Sequence, residues 1–399
     1  MKNVRVLSAV SWARTISILA LSLFVASCGV VIPGLWPRPT AQPEPDQEEV
    51  RVTLLAVGDI NLGRKAGQII LDGDIDYAFE FVTDIISGAD IAFGNLESTI
   101  SEQDGETRSG TWRFTAPPDA ALTLLHAGFD VLSLSNNHVW DYWERGLHET
   151  RDHLDAVGIA HTGTGSDLAE AYSPAVIEVN GLKVAFLAVA NIFNYGVYPD
   201  HEAFDYTAWA DMEYLAPAIS AAREQVDLVV VSAHWDWEYK DYPSDATVEL
   251  AHAIADAGAD IILGHHPHVP QGIEIYNDTF IIYSLGNFAF HQTTKYSIWK
   301  KRSVILVLTL SRDGVEEYDL IPVTTGFQPA VAEGELADEI LAHMEEISFT
   351  SLLFADVPTD AIEDAGETED TWEIEGVDEA EIKSDGDGAL SGEIVETVP

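Results

Sequence analysis

The sequence predicts a layered α/β fold. Three observations predict it. Short apolar runs of β type recur between residues 50 and 325, helix-like segments separate the first five of them, and the runs after residue 270 follow one another directly. Buried strands read as continuous apolar runs, and their alternation with helices implies βαβ units. The later runs read as meandering strands. The expected architecture is a mixed sheet, or two packed sheets, with outer helices.

The elements follow in order. Val52–Val57 is a β run closed by Gly58-Asp59, and Ile91–Phe93 precedes Gly94-Asn95. Val131–Ser135 precedes Asn136-Asn137, Leu228–Ser232 precedes Ala233-His234, and Ile261–Leu263 precedes Gly264-His265-His266-Pro267-His268. Helix-like stretches occupy about 76–87, 118–127, 144–157, 213–225 and 245–257. Ile273–Tyr276, Phe280–Tyr283, Val304–Leu310 and Glu317–Val323 are the meandering strands.

The chain has 399 residues, 47% of them apolar and ten of them tryptophan, which is ample for a large core. Its 67 acids against 20 Lys and Arg give a formal charge of −47. That charge excludes nucleic acid as a partner, which needs a basic footprint. It fits a soluble, self-repelling surface.

Residues 1–28 read as a lipoprotein signal peptide. Lys2, Arg5 and Arg14 form a basic region, and Ile16–Ala26 is apolar but short for a membrane span. Val25-Ala26-Ser27-Cys28-Gly29 looks like a lipobox, which makes Cys28, the chain's one cysteine, a lipid anchor. Residues 29–49 form a proline-rich linker, 50–355 the main domain, and 356–399 an acidic tail too poor in apolar residues to order itself. No internal repeat and no Walker-type nucleotide loop is present.

Five strand ends carry polar residues suited to metal chemistry. They are Gly58-Asp59-Ile60-Asn61, Gly94-Asn95-Leu96-Glu97, Ser135-Asn136-Asn137-His138 with Asp141 beyond, Ala233–Glu238, and His266-Pro267-His268. An Asp after a Gly at a strand end is commonly a turn or a cap, and a lone His is commonly structural. Five such ends on one set of strands converge where open α/β sheets keep their sites. Carboxylates, imidazoles and an amide together suit a two-metal site, and mixed nitrogen and oxygen donors favour Zn, Mn or Fe over Mg or Ca.

With Val269-Pro270-Gln271 and Tyr283-Ser284-Leu285-Gly286-Asn287-Phe288 added, this series resembles the CapA-type poly-γ-glutamate capsule biosynthesis proteins. The resemblance covers about residues 51–325. That family in turn looks like a branch of the calcineurin-like metallophosphoesterases, which implies a four-layer α/β/β/α sandwich in one main domain. It implies Asp59, Glu97, Asn137, His234, His266 and His268 as ligands for one or two divalent metals of Mn, Zn or Fe type. His138 matches the acid or transition-state stabiliser. Asn61 stands where the phosphoesterase pattern has a histidine, and Glu97 where it has an aspartate. These departures weaken the first metal position and leave one or two metals open. His265 replaces the usual glycine and is expected to be a wall residue.

Local chemistry adds detail. Alternate positions of an extended segment point the same way, so His266 and His268 are expected to face the site and His265 to face away. Asp141 either orients His138 or caps a helix beginning near Trp143; both roles are open. Trp235–Tyr239 is expected to form a substrate-facing wall, although its aromatics also suit plain packing. Lys295, Lys300, Lys301 and Arg302 form a basic cluster, read as an exposed loop or as a patch offsetting the acidic field. The leading expectation is a lipid-anchored, extracytoplasmic capsule protein with a metal-dependent hydrolase site, acting on an anionic capsule polymer or phosphoester. The alternatives are a non-catalytic polymer-handling subunit of a membrane capsule-synthesis complex, and an envelope phosphoesterase of other specificity.

Overall fold

The computed structural model describes residues 50–102, 113–194 and 201–350. The signal peptide with Cys28, the linker and the acidic tail lie outside the described residues. The chain runs through β1 (Val52–Ile60), α1 (Arg64–Leu71), α2 (Thr83–Gly88) and β2 (Ile91–Leu96). A small pair, β3 (Thr99–Ile100) and β4 (Thr115–Ala116), precedes α3 (Ala120–Ala127), β5 (Val131–Ser133), α4 (Trp143–Val157) and β6 (Ala160–Thr162). Next come α5 (Leu168–Ala171), β7 (Ala175–Val179), β8 (Leu182–Ala190), α6 (Met212–Arg223), β9 (Leu228–His234), α7 (Asp245–Asp256) and β10 (Ile261–His265). The meander is β11 (Pro270–Tyr276), β12 (Thr279–Leu285), β13 (Arg302–Ser311), β14 (Gly314–Thr324) and β15 (Ala330–Val331), followed by α8 (Gly334–Ile347).

Two mixed sheets result. One has the order β15-β14-β13-β1-β2-β5-β6 and the other β11-β12-β10-β9-β8-β7. In the first, β1, β2, β5 and β6 are parallel and β13 joins β1 antiparallel. In the second, β12, β10, β9 and β8 are parallel, with β11 and β7 as antiparallel edges.

Strand alternation explains the layering. Leu54, Ala56, Phe93 and Val131 of one sheet share a core with Val184, Phe186, Val230 and Leu263 of the other. Their neighbours Leu55, Val57, Ala92 and Leu132 pack on Leu124, Ala127 and Leu154 of the first sheet's helices. Val229, Val231 and Ile262 pack on Leu215, Ile219 and Ile254 of the second sheet's helices. The result is the expected α/β/β/α sandwich, buried on both faces of each sheet as parallel strands require. A fully buried aliphatic side chain stabilises by about 1.5–3 kcal/mol, so the inter-sheet layer contributes on the order of tens of kcal/mol against chain entropy. Helix α8 joins this layer through Ile340, Met344 and Ile347. Ile273 N–H donates to Ser348 Oγ at 2.9 Å just beyond it, tying it to β11. Among the described residues no helix is long and apolar enough to cross a membrane.

Some elements differ from expectation. The stretch 76–87 is a single 3₁₀ turn, Tyr77–Phe79, followed by α2 rather than one helix. Strand β8 and helices α1 and α8 were not anticipated from the apolar runs. Leu336, Ile340, Met344 and Ile347 do lie at helical spacing, and acids between them mask the pattern.

Candidate metal centre

The site forms where the C-terminal ends of parallel strands from both sheets meet. Parallel register sets Asp59 beside Asn95 across β1 and β2, and His265 beside His234 across β10 and β9. The turn after β12 closes onto β1: Asp59 N–H donates to Gly286 O, and Phe288 N–H donates to Asp59 O, both at 2.9 Å. That approach requires glycine at position 58, where a Cβ would lie 1.9 Å from Gly286 O.

Glu97 lies at the centre. It is fully buried, and neither carboxylate oxygen has a hydrogen-bond partner. Ligand atoms of Glu97, His266 and His268 lie within 4.8 Å of one another, and so do those of Asp59, Glu97 and His234. Both triads share Glu97. Its Oε1 is 3.8 Å from His138 Nε2 and 3.8 Å from His268 Nε2. Burial raises its pKa well above the usual carboxylate range, and Asp59, Glu238 and Asp141 add to the rise.

The neighbours divide by partner. Burial would raise Asp59 as well, but His265 and His268 outweigh it and hold the carboxyl well below its ordinary value. Burial and nearby histidines keep His234 well below its ordinary pKa and push His266 down to about 4. Both imidazoles are therefore neutral at pH 7, the form that ligates metal. Burial also opposes the charge on His268, yet hydrogen bonding and attraction to Asp59, with Glu238 and Asn287, raise it. A buried, unpartnered carboxylate amid neutral imidazoles is costly until a cation arrives. The donors fit a pair of divalent cations with Glu97 in common.

An amide layer holds these donors in place. Asn95 Nδ2 donates to Asp59 Oδ1 at 2.8 Å and lies 3.3 Å from His234 Nδ1. Asn136 Nδ2 donates to Leu96 O at 2.8 Å, and Asn136 Oδ1 accepts from His138 N–H at 3.1 Å. Asn137 Oδ1 lies 3.0 Å from His234 Nε2. Asn194 Nδ2 donates to Asn137 O at 2.7 Å. His268 Nδ1 donates to Asp59 Oδ2 at 3.1 Å and to Asn287 Oδ1 at 3.0 Å, which leaves Nε2 toward Glu97. Sequence reasoning does not assign the parts played by Asn95, Asn136, Asn194 and Asn287. The first two stand at strand ends, the only local signal available.

His138 is fixed on two sides. Its Nδ1–H donates to Asp141 at 2.8 Å, and its ring stacks on Phe114 at 3.9 Å. Asp141 also accepts from Phe114 N–H. Helix α4 has Tyr142 as its N-cap, with no side-chain capping bond. Of the two roles open to Asp141, orienting His138 is the one the structure has.

Other expectations need correction. His265 does not face away. It is fully buried, its Nδ1 lies 3.5 Å from Asp59 Oδ1, and neither ring nitrogen has a hydrogen-bond partner. The segment is not extended, because His266 (φ 96°) and His268 (φ 58°) are both left-handed. A turn, not strand alternation, brings three imidazoles to one side. Asn61, the departure from the ligand pattern, instead accepts from Gly63 N–H at 2.9 Å through Oδ1 and forms the turn into α1. Trp235 belongs to the outer core and donates to Tyr283 O at 2.8 Å. Trp237, Glu238 and Tyr239 do line a cleft of about 490 Å³, together with Asn137, Asn194 and His266.

The family model described as bacterial capsule synthesis protein PGA_cap matches residues 53–292. The capsule biosynthesis protein CapA of Bacillus anthracis is 31% identical over 303 residues, 74% of this chain and 73% of that protein. The PGA biosynthesis protein CapA of Bacillus subtilis is 32% identical over 271 residues, 67% of this chain and 70% of that protein. Among solved structures, the NAD nucleotidase of Haemophilus influenzae matches at 12% identity and a TM-score of 0.42, over 75% of this chain and 64% of that one. The chain thus spans a little under two thirds of that nucleotidase. With the family model matching more than half of its length, the chain belongs to the bacterial capsule synthesis protein PGA_cap family.

Proposed function

We propose that this chain is a lipid-anchored, extracytoplasmic capsule biosynthesis protein whose centre holds two divalent cations and hydrolyses a bond in an anionic envelope polymer. One observation carries the reading: the fully buried Glu97, with both oxygens unpartnered, is common to two ligand triads. The Bacillus relatives' names supply the polymer class.

Asp59, Glu97 and His234 would hold one cation, with Asn137 Oδ1, 3.0 Å from His234 Nε2, as a further donor, and Glu97, His266 and His268 would hold the other. Such a pair supplies Lewis acidity and acidifies water near neutral pH. The chain's own residues do the rest. Asp141 fixes the His138 ring through Nδ1 and leaves Nε2 facing the centre. As an imidazolium, His138 would give its Nε2 proton to the leaving-group oxygen or nitrogen as water's oxygen bonds to the attacked centre and the leaving-group bond breaks. Burial of Asp59, Glu97, His234 and His268 keeps bulk water out and strengthens each charge. The cleft lined by Asn137, Glu238 and Tyr239 admits the substrate. Cys28 tethers the body to the membrane through the proline-rich linker.

The test is elemental analysis of the full chain purified without chelator, with hydrolysis assays on γ-glutamyl and phosphoester substrates. Bound transition metal, with turnover lost in His266→Ala, is the expected result. Metal-free protein whose activity ignores that change sinks the reading. Metal without hydrolysis favours the polymer-handling subunit, and turnover of phosphoesters alone favours the envelope phosphoesterase. Cys28→Ser should move the protein from the membrane to the soluble fraction.

A further inference from the structure

The basic run Lys295–Arg302 supplies no ligand to the metal centre but supports it through Lys300 O, which accepts from Asn287 Nδ2 at 2.9 Å, and its side chains diverge. Arg302 pairs with Glu339, and Lys301 is exposed. Lys300 turns inward and is 3% exposed. Its Nζ lies 4.4 Å from the centre of the Tyr239 ring and 5.6 Å from that of Tyr296. Lys295 Nζ lies 4.8 Å from the Tyr296 ring.

The two rings stack at 5.6 Å with 13° between planes, and Tyr239 stacks in turn on His268 at 6.2 Å. A column of rings thus leads from a candidate metal ligand outward, with two ammonium groups along it. Tyr239, Lys240 and Tyr296 line the cleft beside the centre, and Lys300 reaches it through its packing on the two tyrosine rings. Both hold left-handed backbones, φ 63° and 80°, which bulky residues adopt only where their surroundings impose it.

Among the described residues, neither Lys295 nor Lys300 has a carboxylate within ion-pair distance. Lys65, Lys240 and Lys301 have none either, but those three and Lys295 are exposed, whereas Lys300 is buried. The contrast matters in a chain with 67 acids for 20 cations. Glu238 bears on Lys300 through its charge, but it is also drawn by His268, Tyr239 and His266. The aromatic faces offset part of the cost of burying the ammonium without neutralising it.

We propose that Lys300, assisted by Lys295 and framed by Tyr239 and Tyr296, is an oxyanion subsite that takes a carboxylate or phosphate group of the substrate in the cleft beside the metal centre. The proposal deepens the functional reading above by assigning the cation that orients an anionic chain at that site. It also says how so acidic a protein accepts a polyanion: one local pair of cations overcomes the general repulsion.

Calorimetric titration of the full chain with a γ-linked glutamate oligomer and with inorganic phosphate tests it. Lys300→Met should weaken the binding probe about tenfold, and Lys300→Arg should recover most of the loss. Lys295→Met, on the loop, should weaken it about threefold without risk to the core. Metal content should stay unchanged in all three variants. A response to the oligomer alone names a carboxylate, and a response to phosphate alone names a phosphate. Unaltered affinities in Lys300→Met and Lys295→Met, or no binding of either probe to the unmodified chain, overturn the subsite. Probe binding that depends on Lys300 in a protein without metal keeps the subsite and defeats the metal reading.

Discussion

Glu97 shows at the residue scale how a site is kept ready at a cost. Its carboxyl is raised by burial and by Asp59, so without metal the folded chain must protonate it or hold an unfavourable charge. For an acid raised in the folded state, stability is lost as pH climbs above the ordinary carboxylate value. Glu97→Gln removes that penalty. Its metal-free form should melt about 2–4 °C above the unmodified metal-free protein at pH 7, the shift that about 1 kcal/mol produces in a large domain. Added Mn²⁺ should stabilise the unmodified chain and not the variant; melts with and without metal check both. His266 works in the opposite direction. Its folded pKa of about 4 lies below the ordinary 6.5, so the unfolded chain takes up the proton first. Stability is full above pH 6.5 and is lost as pH falls toward 4. At 1.36 kcal/mol per unit the loss is about 2 kcal/mol at pH 5. Metal-free melts from pH 7 to pH 5 should show it, and His266→Asn should flatten the slope.

At the scale of elements, strand ends and the turns after them do the positioning. Five non-glycine residues around the centre and its cleft hold positive φ: Asp236, Tyr239, His266, His268 and Tyr296. Such backbone costs on the order of 1–3 kcal/mol per residue and persists only where packing and hydrogen bonds impose it. Gly58 is the point where β1 meets the turn after β12. An added methyl group would strike the Gly286 carbonyl, and backbone cannot step aside cheaply. Gly58→Ala should therefore destabilise by about 3 kcal/mol. It should also weaken metal binding, because Asn287 supports His268 from that turn. Denaturant unfolding and a metal titration on one preparation separate the two effects. The apolar runs and polar ends of β1, β2, β5, β9 and β10 were legible because burial and alternation are written locally. The turn at His266–His268 was not, because a histidine's left-handed backbone is set by what surrounds it.

At the scale of the whole chain, a formal charge of −47 surrounds a domain whose centre buries charged residues such as Asp59 and Glu97. The chain's 67 acids far outnumber its 20 cations, and the repulsion among the exposed ones is screened over roughly 10 Å at 0.1 M salt. Raising NaCl from 10 to 300 mM should therefore increase the melting temperature by a few degrees, as thermal scans at fixed pH would show. A fall instead would mean that ion pairs such as Arg223–Asp260 and Arg312–Asp227 outweigh the repulsion. By itself the sequence determined the α/β layers, the family, and the residues that gather at the strand ends, since hydrophobic period and motif are local properties. Only the tertiary structure decided that His265 lies 3.5 Å from Asp59, that Asn95 and Asn136 brace the ligands, and that Lys300 turns inward from the 3₁₀ turn Ile298–Lys301. Those facts depend on groups tens to hundreds of residues apart meeting where two sheets converge, and on backbone conformations that no single residue prefers.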